Sequence, residues 1–429
     1  MNSPLPQMLV EAKYESRAIE DVTGETRAKL DAVFSGDDWA KKRVAVALGS
    51  RGIDQIATVG RTAIEWLKSR GAIPFIIPAM GSHGGATSEG QLEILEALGI
   101  TEKSAGAPID ASMETVELGR ASDDARILTS RVALSADVVL LVNRIKPHTD
   151  FSSSEIGSGL RKMSVIGLGK AEGAARFHHS ASSRGYESAL KELSRFIIGK
   201  YPSIFGLALV EDAHHRLGRI EALRGPEISE CEPALFILAR DWMPTLPFKK
   251  IDLLIIDEMG KNISGAGMDT NIIERGIDGL PRVGRRVDIG AIYTRSLTPE
   301  SHGNAIGLGL ADVVSSKLVA GMDKQAMYTN ALTAMTPMTV RIPMHFENDR
   351  ECLRAAIRVS GKEESSVRIV RVRNTLALDR FIATINYSEE IADRNDLSIL
   401  ETGRDWQFTP AGDFDPAFDL MNQQAGQIR

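Results

Sequence analysis

Residues 138–148 read Val-Val-Leu-Leu-Val-Asn-Arg-Ile-Lys-Pro-His, and this stretch decides the fold class. Five apolar residues in an unbroken run predict a strand covered on both faces, because a strand with one wet face would alternate. The run stops abruptly at Asn143, Arg144, Lys146 and His148. Two earlier runs behave alike. Arg43 to Leu48 ends in Gly49, Ser50, Arg51 and Gly52, and Ile73 to Ile77 leads into Met80, Gly81, Ser82, His83, Gly84 and Gly85. Helical patterns lie between them. Ile56, Val59, Ile64 and Leu67 fit one face of a helix over residues 54–69, with Gly71 suited to its C-terminal cap. Ser88 and Gln91 make a capping-box signature for a helix through Leu98, closed by Gly99.

Apolar strands joined by helical crossovers predict an α/β fold whose mainly parallel sheet gathers the strand carboxyl ends along one edge, where ligands bind. A single polar cluster at a strand end reads as a solvated loop tip. Three in phase are expected to bring Arg51, His83 and His148 together.

Downstream, residues 143–179 hold three of the eight histidines and five glycines, a mixture no ordinary core needs. The segment contains Ser158-Gly159-Leu-Arg-Lys162, then Gly167-Leu-Gly169-Lys170-Ala-Glu-Gly173, then His178 and His179. The glycine spacing departs from a dinucleotide fingerprint, and no acidic residue follows at the required distance. The backbone amides of that turn, with Gly167, Gly169 and Lys170, are candidates for holding a phosphate. A helix is expected over 186–198, a strand over 204–210 and a helix over 234–242, before Pro244 and Pro247 mark a boundary.

The second half restarts the α/β rhythm with strands expected at 251–256 and 367–372, and helices at 305–319 and from Asp349 to Val359. The organisation expected is therefore two α/β domains, residues 1–245 and 246–429, with mainly parallel sheets and the active site in the cleft between them. The polar tail, 402–429, either wraps back on the first domain or stays loose.

Composition narrows the function. With 43% apolar and 25% charged residues the chain reads as an ordinary globular protein. A net charge of −6 argues against a nucleic-acid surface, which needs a concentrated basic face. Cys231 and Cys352 stand far apart, which speaks against a disulfide framework or a thiolate zinc site and for a reducing compartment. The N-terminus lacks a signal-peptide layout, and no apolar run is long enough to span a bilayer, so a cytoplasmic location without a membrane partner is expected.

His83, between small residues just before a helix start, is a candidate beside a natural anion site. His148, preorganised by Pro147, pairs with it. Two imidazoles titrating near pH ~6.5 can give and take protons on opposite faces of one carbon, the economical arrangement for a racemase or epimerase. The plainer reading gives His148 and Lys146 anion contacts only. Lys162 is an anion clamp, a base or a covalent anchor, and its chemistry alone does not choose. Asn262, Ser264, Asp269 and Asn271, in the loop after residues 251–256, stand nearly level between a role facing the cleft and an ordinary turn.

Taken together, these motifs resemble the nickel-dependent lactate racemase family, over both halves of the chain. The resemblance implies a 2-hydroxyacid racemase or epimerase that uses a nickel-pincer nucleotide, a pyridinium mononucleotide with two sulfur-bearing arms, one joined to a lysine. It puts that anchor on Lys162, where the family shows Ser-Gly-Gly-x-Lys, with Ser158 and Gly159 in the same cofactor-binding turn. It puts the nickel ligand on His178, 16 residues on, with His179 as the alternative. It makes His83 and His148 the acid and base of a proton-coupled hydride transfer, and Arg51 a substrate ligand together with Asn271 and Glu274. The implied partner is a small 2-hydroxy acid, with a homo-oligomer left open.

The chain departs from the family in two respects. The interval from His148 to Lys162 is about four residues longer, through Ser152, Ser153, Ser154 and Glu155. Glu274 and Ile277 stand where lactate enzymes carry a glutamine and a lysine, which disfavours lactate and leaves room for a more hydroxylated or cation-bearing acid. The alternatives are a metal-independent isomerase or lyase on an anionic substrate, and a binding protein for a nucleotide or sugar acid.

Overall fold

Residues 5–49, 52–282 and 284–422 are described by the computed structural model. They form two compact units, residues 15–243 and residues 1–14 with 244–429. The N-terminal segment shows no pattern in sequence. It nevertheless begins with a strand, Gln7–Ala12 (β1), which pairs antiparallel with two strands of the second unit. Residues 5–14 therefore belong to that unit rather than to the first.

In the first unit the three expected strands are present as Arg43–Leu48 (β2), Ile73–Pro78 (β3) and Val138–Arg144 (β6), after a small hairpin of Thr115–Arg120 (β4) and Arg126–Ser130 (β5). Ile204–Glu211 (β7) and Leu217–Arg224 (β8) complete a sheet of order β3-β2-β6-β7-β8. All its pairings are parallel except β7 with β8. Alternate residues of each central strand enter opposite layers: Val44, Val46, Val138 and Leu140 join one core, and Ala45, Ala47, Val139 and Leu141 the other. Burial on both faces explains why these strands are continuous apolar runs. Parallel pairing puts the carboxyl ends of β2, β3, β6 and β7 along one edge.

The second unit is built on an eight-stranded sheet. Lys250–Met259 (β9), Asp288–Leu297 (β10), Val313–Ser315 (β11), Met344–Phe346 (β12) and Ile369–Asn374 (β13) are joined in parallel, in the order β12-β11-β10-β9-β13. Ala377–Thr384 (β14), β1 and Leu397–Arg404 (β15) extend it antiparallel. Both units are thus α/β with mostly parallel strands, as expected.

Two expectations fail for physical reasons. The apolar stretch 305–319 forms a 3-10 turn, β11 and a short helix instead of one long helix. Gly307, at φ +94°, and Gly309, whose absent Cβ leaves room for the carbonyl of Met338, break the helical path. The tail to Asn422 packs within the second unit. Trp406 and Phe414 lie in the core of the second, and Trp406 Nε1 donates to the carbonyl of Leu5 at 3.0 Å. Among the described residues, no helix is long and apolar enough to cross a membrane.

Candidate active site

The carboxyl edge of the first sheet is tied together by polar groups from several strand ends. Asn143, at the end of β6, donates from Nδ2 to the carbonyl of Gly159 at 3.0 Å. A Cβ on Gly49, just after β2, would lie 3.0 Å from Asn143 Oδ1 and 3.5 Å from Met163 Cε. Lys146 and Ser158 exchange backbone hydrogen bonds of 2.9 and 2.8 Å, closing the base of the loop between them. The next turn, Leu160–Lys162, begins at Gly159, which has no side chain to cap it. Glu232 does so from a distant helix, Gly225–Trp242: its Oε2 accepts the amide of Arg161 at 3.0 Å. Gly159 is a glycine because a Cβ there would come within 2.8 Å of the Glu232 carboxyl. Burial pushes that carboxyl up to about 7.

This turn presents Lys162 to a compact group of side chains. Its Nζ contacts Nε2 of His148, a ring only 8% exposed. The amide of Asp150 donates to His148 Nδ1 at 3.0 Å. A backbone N–H can only donate, so the neutral ring carries its proton on Nε2, facing the lysine. The contact is satisfied when Lys162 is a free amine that accepts this proton. Burial works against the Asp150 carboxylate, but the charge of His148 and Lys162, when either is protonated, outweighs it and holds the group below the usual range. Phe151 stacks between His148, at 4.8 Å, and Tyr186, at 4.9 Å. The Tyr186 hydroxyl meets Nδ1 of His178, whose pKa burial lowers. His178 sits on the helix Lys170–Arg184 and is half-buried, whereas His179 is exposed.

The loop after β3 is fastened to the same segment. Gly81 N donates to Gly167 O at 3.3 Å, and Lys170 Nζ to Pro78 O at 2.7 Å. Gln91 is not the capping-box partner of Ser88, since Thr87 caps that helix. Fully buried, Gln91 sends Nε2 to the carbonyls of Gly81 and His83, at 3.0 and 3.3 Å, while its Oε1 has no partner. Gly84, at φ +65°, approaches so closely that a Cβ would lie 2.4 Å from the backbone of Gly90. His83 itself is exposed on this clamped loop.

The structure therefore brings Lys162, His148 and His178 together and ties the His83 loop to their support. Packing requires glycine at 167 and 169: a Cβ would lie 2.6 Å from Ala79 O in one case and 2.4 Å from Val165 O in the other. Lys170 is buried on the Pro78 carbonyl, and burial pulls its pKa down to about 8. Ser158 contributes its backbone to the bridge with Lys146. Arg51 lies outside the described residues.

In the second unit Asn271 and Glu274 are buried within their own loop. Asn271 Nδ2 donates to Asp269 Oδ1 at 2.9 Å, and Glu274 Oε1 accepts the amide of Arg286 at 3.0 Å. Sequence reasoning missed Asp150, Phe151, Tyr186 and Glu232. The extra residues after His148 were a signal: Ser153 Oγ accepts the amides of Glu155 and Ile156, and Lys191 bridges Glu155 to Glu187 on the next helix.

No family model and no curated protein matches the sequence. Among solved structures, the chain is similar to the lactate racemase apoprotein from Thermoanaerobacterium thermosaccharolyticum, with 13% identity and a TM-score of 0.53 over 86% of this chain and 99% of that one. It is also similar to a protein from Thermotoga maritima, with 16% identity and a TM-score of 0.49 over 64% and 70% of the two chains. At such identity, the first likeness shows a shared fold.

Proposed function

We propose that this chain is a racemase or epimerase that inverts C2 of a 2-hydroxy acid, with a nickel-pincer nucleotide held on Lys162. The observation that carries the reading is the meeting of Lys162, His148 and His178 around Asp150. The fold shared with a lactate racemase apoprotein supports it by analogy.

The residues fit such a group. Lys162 Nζ lies against His148 Nε2, and covalent anchoring would require this lysine as a free amine. His178 meets Tyr186 through Nδ1, which leaves Nε2 for a metal. Among the described residues, no set of three or more His, Cys, Asp or Glu is arranged to hold a metal, so a nickel at His178 would take its other ligands from the cofactor. When bound, that cofactor supplies the hydride-accepting carbon. The chain's own residues move the protons. His148 gives or takes one at the substrate hydroxyl oxygen through Nε2, and His83 does so from the other side. Arg51 pairs with the substrate carboxylate. Asn271 and Glu274 contribute by shaping the loop that holds them.

The test is to produce the protein together with enzymes that build the cofactor, then measure the mass of the Lys162 peptide and the nickel content. An adduct on Lys162 with bound nickel, and exchange of C2 hydrogen for deuterium in at least one 2-hydroxy acid, is the expected result. An unmodified lysine and no nickel would sink the reading.

A further inference from the structure

The two clustered histidines both meet the chain through Nδ1, but they meet different kinds of group. His148 Nδ1 faces an amide that can only donate, so its neutral ring is protonated on Nε2. His178 Nδ1 faces the Tyr186 hydroxyl, which can either donate or accept, with Nε2 3.5 Å from the same oxygen. Tyr186 is packed between Phe151, stacked at 4.9 Å, and Phe177, edge-on at 5.0 Å, so the oxygen has little freedom to move. The Asp150 carboxylate acts on both the phenol and His178. A neutral ring that gives an electron pair to a metal through Nε2 keeps its proton on Nδ1, and the hydroxyl in contact with Nδ1 is then the acceptor. The ring then donates from Nδ1–H, and its remaining lone pair is on Nε2.

We propose that Tyr186 is a positioning residue: its hydroxyl accepts from His178 Nδ1–H and so leaves Nε2 as a bare electron-pair donor for a metal. The inference rests on the nickel role assigned to His178 above. It gives the two histidines opposite tautomers, one a proton donor at Nε2 and the other a ligand at Nε2. A metal-binding imidazole is usually fixed in this way, by a hydrogen bond at its other nitrogen. No motif in the sequence marks Tyr186, because its partner is eight residues and a helix break away rather than one helical turn.

The test uses metal-free protein labelled with nitrogen-15 in its histidine rings. Two-bond proton–nitrogen spectra report the tautomer of each ring, and His178→Asn identifies the His178 signal. His178 is expected to carry its proton on Nδ1, and Tyr186→Phe, which keeps the ring stack, is expected to shift it toward the Nε2–H form. An Nε2–H ring in the unsubstituted protein, or an unchanged tautomer in Tyr186→Phe, overturns the proposal. When nickel and cofactor are supplied, Tyr186→Phe is expected to weaken nickel retention about 10- to 100-fold. If no nickel binds to either protein, the proposed function fails while the tautomer result stands on its own.

Discussion

The two parallel sheets differ most along the edge where their strands end. In the first unit that edge carries imidazoles, an amine and a carboxylate, with some bonding capacity still turned toward one another. In the second it carries a closed ion network. Asp257 accepts from Arg295 at 2.8 Å and from Arg371 at 2.7 Å. Arg295 forks onto Asp349 at 2.9 and 2.7 Å, and Arg371 forks onto Asp419 of the tail at 3.1 and 2.7 Å. Phe414 lies against both guanidinium groups, at 4.6 and 4.7 Å. Despite burial, Arg295 and the Tyr293 hydroxyl hold the Asp349 carboxyl low. The same topological position is thus a reactive cluster in one sheet and a clasp for the C-terminal tail in the other. Charge at a strand end is therefore compatible with either role.

The sharpest way to break this contrast is at Lys162 and His148. Lys162→Met is expected to abolish both the adduct and C2 deuterium exchange, as read by the peptide mass and by proton NMR of the substrate. His148→Asn is expected to keep the adduct and lower exchange about 10²- to 10⁴-fold, the usual worth of a general acid–base group. Equal loss of adduct and exchange in both variants would make His148 a support for Lys162 rather than a proton carrier.

The clasp should respond in stability instead. Arg371→Met leaves Asp419 without its guanidinium partner and Asp257 with Arg295 alone, and breaking such a network costs about 3–5 kcal/mol. Urea unfolding followed by tryptophan fluorescence would show it through Trp406, which lies in the same core. Nickel retention at His178 should be unaffected, and a large loss there would erase the distinction between the two edges.

How much of this could be read from the sequence follows the same division. The strands β2, β3 and β6 were legible because burial on both faces leaves an unbroken apolar run, and their polar ends announced the edge. Lys162, His148 and His178 were legible as types and spacings. Glu232 was not, because it reaches Arg161 across 71 residues. Gln91 was misread because its capping spacing is real, yet its amide is held by the carbonyls of Gly81 and His83. Gly159, Gly167 and Gly169 suggested a ligand cradle. Sequence cannot tell a glycine that admits a ligand from one that admits another part of its own backbone. The strands β1, β14 and β15 escaped notice for two reasons: β15 is largely exposed or half-buried, and the mostly buried β1 and β14 have apolar runs broken by Gln7 and Glu11 and by Asp379 and Arg380.

The smallest effect concerns the group behind the anchor, and it separates support from chemistry. Glu232 is 1% exposed, one of its oxygens has no partner, and burial raises its carboxyl from the ordinary range to about 7. A raised carboxyl favours the protonated form in the folded state. Its contribution to stability is therefore fully present below pH ~4.5 and is lost as pH rises to about 7, beyond which the cost stays constant. A shift of this size corresponds to about 3 kcal/mol. Glu232→Gln keeps an acceptor for the Arg161 amide but carries no titrating proton. The variant is expected to be the more stable protein above pH 7 by up to that amount, with the difference closing as pH falls toward 4.5, while the Lys162 adduct still forms. Chemical denaturation at several pH values measures the first effect and peptide mass the second. If the variant lost the adduct at unchanged stability, Glu232 would belong with the reactive edge instead of behind it.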